Sequence, residues 1–147
     1  MPESTDGLSQ QEREAVRQRA AELRSNAGVK GAAKRERERQ ACQDAIAALT
    51  GTDRAIAEML HEVIDAAAPD LNPKTWYGFP SYAREGQVVV FFQPASKFDT
   101  RYGTVGFSEH ARLDEGQMWP TSFAVIEATD AVRSRLRELV ARAVSRA

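Results

Sequence analysis

The chain carries a single cysteine, Cys42, among its 147 residues, so no intrachain disulfide can form. A lone thiol fits a reducing compartment. Long apolar runs are missing too. Stretches such as "VVVFF" at 88–92 fall far short of the roughly 20 residues a membrane helix needs. The opening "MPESTDGLSQQEREAV" has neither a basic stretch nor an apolar core, so no signal peptide is expected. These absences predict a cytoplasmic protein outside the membrane. There is no surplus of positive charge: 20 Lys and Arg face 21 Asp and Glu. Without that surplus, nucleic acid is not an expected partner.

Catalytic motifs are lacking as well. Only His61 and His110 are available as imidazoles, and one Cys with two distant His does not make a closed zinc site. Ser81 has no nucleophile-elbow sequence around it, and Cys42 has no His nearby in sequence. "YGTVGFSE" at 102–109 has two glycines but not the order of a phosphate-binding loop. The expectation is a binding protein rather than an enzyme.

What is present is a helix-rich first half. "LSQQEREAVRQRAAELRSN" begins with a capping box, Ser9 with Glu12. Val16, Ala20, Leu23 and Ala27 share one helical face, which the pattern predicts to be the buried one. "GVKG" at 28–31 interrupts it. A second helix is expected from about residue 32 to 50, its front "KRERER" a solvated run in which Lys34 meets Glu38. "GTDRAIAEMLHEVIDAAAP" is the clearest helix, capped by Thr52 or Asp53 and ended by Pro69. Its core face is Ile56, Leu60, Val63, Ile64 and Ala67. Glu58, His61, Glu62 and Asp65 lie on its other side.

From Lys74 the period changes to that of strands. "TWYGFPSYAR", the Glu85–Gly86 turn and "QVVVFFQP" predict a hairpin whose second strand is apolar on both faces, hence central. Further strands are expected near 102–107 and in "SFAVIEA", with a short turn capped by Ser108 between them. Thr129 and Asp130 start a last helix with core face Val132, Leu136, Leu139, Val140, Ala143 and Val144. Helices, then strands, then a helix predict an α+β fold: a two-layer domain, an antiparallel sheet packed by helices. Residues 1–50 form a helical extension to a domain at 51–147.

"WYGFPSYAREGQVVVFF" resembles the YdhG-like domain-of-unknown-function family. Trp76, Gly78, Pro80, Tyr82 and Gly86 fill the family's aromatic, small, proline, aromatic and turn positions, and the likeness runs over roughly residues 50–145. The resemblance implies helices against an antiparallel sheet. Some members are labelled frataxin-like iron chaperones, which implies weak iron binding. Those members carry a His ahead of the Gly-Phe pair; this chain has Thr104 and Val105 before Gly106 and Phe107.

Two residue sets are candidates for binding. Glu58, His61, Glu62 and Asp65 put three carboxylates and an imidazole on one helix face, a donor set suited to ferrous iron. The second set is aromatic. Trp76, Phe79, Tyr82 and Trp119, with Lys97 and Arg101 to orient a ligand, would line a groove if one sheet face stays uncovered. That groove would take a small molecule or a partner protein.

Overall fold

The computed structural model describes residues 7–25, 27–28 and 30–145. Five helices and five strands follow in the order α1 (Gln10–Ser25), α2 (Gly31–Ala47), α3 (Gly51–Ala67), β1 (Asn72–Trp76), β2 (Phe79–Arg84), β3 (Gln87–Gln93), α4 (Ala95–Phe98), β4 (Gly103–Phe107), β5 (Ser122–Val125) and α5 (Asp130–Ala143). The strands form one antiparallel sheet in sequence order, β1-β2-β3-β4-β5, and helices pack on it. This is the α+β architecture that the order of patterns implies. β3 is the central strand. No helix among the described residues is long and apolar enough to cross a membrane.

α3 and α5 pack together, and α2 lies along β1 and β2. The core joins Cys42 and Ile46 of α2, Ile56, Leu60, Val63 and Ile64 of α3, and Leu136, Leu139, Val140 and Ala143 of α5 to one sheet face. That face supplies Tyr82, Val90, Phe92, Val105 and Val125. Tyr82 pairs with Val90, Val90 with Phe107, and Phe92 with Val105, as side chains on one face must. Thr129 caps α5 by accepting from the Val132 N–H at 3.2 Å.

Several expectations change. "KTWYGFPSY" is itself a hairpin: β1 ends at Trp76, Tyr77 and Gly78 form the turn, and Phe79 starts β2. Tyr77 (φ 55°) and Gly78 (φ 84°) are both left-handed, as are Glu85 (φ 52°) and Gly86 (φ 81°) in the next turn. Two left-handed residues give the turn whose twist matches antiparallel strands. Tyrosine rarely takes that conformation, which hid the first turn in the sequence.

Asp53 does not cap α3. The helix starts after Thr50 with no side-chain cap. The Asp53 carboxylate instead accepts from the N–H groups of Ala95 (3.1 Å) and Ser96 (3.2 Å) and from the Ser96 hydroxyl, tying α3 to α4. Glu38 is not solvated beside Lys34. It is buried and paired with Lys74 of β1 at 3.3 Å.

The largest change concerns α1. Its Ser9–Glu12 capping box forms, with bonds of 2.8 and 3.0 Å. Its apolar stripe nevertheless faces water: Val16 is 45% and Leu23 58% exposed. Ala15 is its buried residue, and Gln18 and Glu22 turn inward to make polar contacts with the hairpin turn and α4.

Candidate functional site

Side-chain alternation splits the aromatic set. Tyr82 points into the helix-covered core. Phe79 and Phe91 point to the opposite face, and Trp76 joins them there, its ring 5.9 Å from Phe79 and 5.5 Å from Phe91. Tyr77 and α4's Phe98 complete the cluster, at 5.2 Å from Trp76 and 6.2 Å from Phe79. Gly106 makes room for it, since a Cβ there would collide with the Phe91 ring. Trp119 packs at the margin of the helix-side core. Arg101 is exposed, its guanidinium 5.3 Å from the Tyr102 ring centre. Of the six groove residues predicted, Trp76, Phe79 and Lys97 therefore share a neighbourhood, while Tyr82, Arg101 and Trp119 do not join them. The sequence shows the rings but not the strand register that sorts Phe79 and Tyr82 to opposite faces.

Trp76 is half-buried and lines a cleft of about 380 Å³ with Arg19, Lys74, Gly86, Val88, Ser108 and His110. A second cleft, about 430 Å³, opens between α1, α2 and β1 and shares Arg19 and Lys74 with the first. Lys74 is held by Glu38, and Arg19 by Glu22 at 3.3 Å. The Ser108 hydroxyl accepts from the His110 N–H at 3.0 Å and donates to the Val88 carbonyl, so this corner is ordered by its own bonds. Arg19, Ser108 and His110 carry no sequence signal for lining this cleft, because Arg19 of α1 and the Ser108–His110 segment are far apart in sequence and only the fold joins them.

The carboxylate stripe of α3 behaves differently. Arg54 bonds Glu58 at 3.1 Å, and Arg133 of α5 bonds Glu62 at 2.9 Å. Asp65 lies 3.8 Å from His61 Nε2, and His61 Nδ1 is 3.0 Å from the Tyr82 hydroxyl. Two of the three carboxylates thus already face guanidinium groups. Among the described residues no three His, Cys, Asp or Glu side chains are grouped to hold a metal ion. The donor set does not fit an iron centre as it stands.

Beneath His61, Tyr82 is the inner end of a polar chain. Its hydroxyl also meets the Cys42 thiol, buried under α2. Burial pushes that thiol from its ordinary 9.0 up to about 11, and the Tyr82 bond offsets this only in part. Burial likewise raises Tyr82 well above its ordinary 10.0. A thiol held protonated is a poor nucleophile. Ser81 is buried and donates to the Phe79 carbonyl at 3.3 Å. No family model, curated protein or solved structure matches the chain.

Proposed function

We propose that this is a cytoplasmic, non-enzymatic binding protein of the YdhG-like kind, taking a small anionic molecule with a flat apolar part in the Trp76 cleft. One observation carries the reading. A half-buried indole opens onto a cleft of about 380 Å³ whose other walls bear Arg19, Lys74, the Ser108 hydroxyl and the His110 imidazole, with Glu109 as the carboxylate among them. An indole face offers stacking area, while Arg19 and Lys74, each ion-paired to a carboxylate of the chain, have further N–H donors to offer an anion. Cys42 and Ser81 are buried and engaged, which supports binding over nucleophilic catalysis.

Anilinonaphthalene sulfonate, an anionic aromatic dye, tests it. One saturable site is expected, weakened at least tenfold by Trp76→Ala and by Lys74→Met. Unchanged affinity in both variants overturns the reading. The second reading, a carrier of weakly held iron, comes from the family resemblance and would use Glu58, His61, Glu62 and Asp65. The arginine partners of Glu58 and Glu62 weigh against it. Saturable ferrous binding abolished by Glu58→Ala with Asp65→Ala would restore it.

A further inference from the structure

The turn that closes the first hairpin ends in two consecutive amides that point the same way. Tyr77 N–H donates to Glu22 Oε1 at 3.2 Å, and Gly78 N–H donates to Glu22 Oε2 at 2.8 Å. Each carboxylate oxygen has its own donor. Successive backbone N–H groups converging on one anion form an anion-binding concavity. Charge reinforces it. Arg19 lies 3.3 Å from Glu22 Oε1, and Lys97, bonded to Gln18, stands beside Gly78. Burial lowers the Lys97 ammonium from its ordinary 10.5, while Glu14 and Glu22 draw it back up.

The carboxylate that fills this concavity belongs to a weakly anchored helix. α1 buries Ala15 and leaves Val16 and Leu23 in water. Its hold on the sheet rests on Glu22 and on the Gln18–Lys97 bond rather than on apolar burial. The receiving turn is strained, with a bulky Tyr77 at φ 55°. Strain of this kind is found at ligand clamps and switch segments, although Glu85 holds the same conformation in the next turn. Space for the rest of a ligand adjoins it, because the 430 Å³ cleft is walled by Gly78, Thr75, Lys74, Arg19 and Glu22 itself.

We infer that the Tyr77–Gly78 turn is a carboxylate-binding site, and that Glu22 is a tethered stand-in which an incoming small carboxylate must displace, with α1 acting as an internal competitor. The inference goes beyond the Trp76 reading: the turn adjoins the 430 Å³ cleft, which shares Arg19 and Lys74 with the Trp76 cleft but is otherwise walled by different residues, and it adds a second group recognised and a means of control. A side chain fixed nearby competes at an effective concentration of about millimolar or more. Free ligand therefore binds the intact chain weakly until α1 lets go.

Benzoate is the probe, with sodium chloride at matched ionic strength as control. The readouts are the backbone amide signals of Tyr77 and Gly78 and, separately, the Trp76 indole N–H. In Glu22→Ala, benzoate is expected to shift both amides saturably, with half-saturation at least tenfold lower than in the unmodified chain. Glu22→Gln, which keeps the side-chain volume but loses the charge, should fall between them and serves if the alanine variant does not fold. Equal half-saturation in all chains, or no saturable shift at Tyr77 and Gly78 in either variant, overturns the inference. A response at Trp76 alone sinks the turn site and leaves the cleft standing. A response at Tyr77 and Gly78 alone does the reverse.

Discussion

At the scale of single residues, burial decides chemistry. Cys42 is the chain's one thiol, and its burial holds it protonated up to about pH 11. Across the window from 9.0 to about 11, the unfolded chain loses a proton that the native thiol keeps. The native state binds more protons there, so stability falls as pH rises through that window, by at most about 1.4 kcal/mol per pH unit. Below 9.0 the contribution is fully present. Urea unfolding at a series of alkaline pH values should show this decline, with Cys42→Ala reducing the slope; Tyr82, also raised, leaves a remainder. An unchanged slope would show that the thiol is not the group responsible. The carboxylates of α3 are exposed instead, and there the ion-pair partners decide. Their spacing was legible, as was the i,i+4 pairing of Arg54 with Glu58, but the partner of Glu62 was not, since Arg133 lies on another helix.

At the scale of elements, the readable helices are those whose apolar spacing does the packing. The span and core face of α3 were visible because Ile56, Leu60, Val63 and Ile64 recur with helical period, and all four are buried; its start was not, since Asp53 bonds α4 rather than capping the helix. Leu60→Ala should cost about 2–5 kcal/mol, read as a shift in the urea midpoint. A change within about 0.5 kcal/mol would mean that Leu60 does not pack in the core. α5 was equally clear, down to its Thr129 cap. The orientation of α1 was not. A stripe holding only two large side chains offers little burial energy, and the bonds of Glu22 and Gln18 outweigh it. These partners lie more than fifty residues away, so no local pattern announces them. The first hairpin was hidden for another reason, since its turn uses tyrosine where asparagine or glycine is the usual signal. Weak anchoring of α1 has a measurable consequence: its amides should exchange hydrogen much faster than those of β3, the central strand. Equal protection would mean that α1 is an integral part of the core.

At the scale of the whole molecule, the five-stranded sheet assigns its two faces to different tasks. One carries the core shared with α2, α3 and α5. The other carries the rings of Trp76, Phe79 and Phe91, bordered by α1, α4 and two clefts. The class of fold was legible from the order of periodicities. Which rings share a face was not legible, because a single step in strand register moves a ring from one face to the other. That is why Tyr82 parts from Trp76; Trp119 lies in the segment before β5 and follows no strand register. The central claim, an open indole in a ligand cleft, is tested most directly by acrylamide quenching of Trp76 fluorescence in a Trp119→Phe chain, with and without saturating anilinonaphthalene sulfonate. The account predicts clear quenching in the free protein and protection when the dye is bound. Shielding in the free protein as complete as for a core tryptophan, or quenching unaltered by the dye, would contradict it.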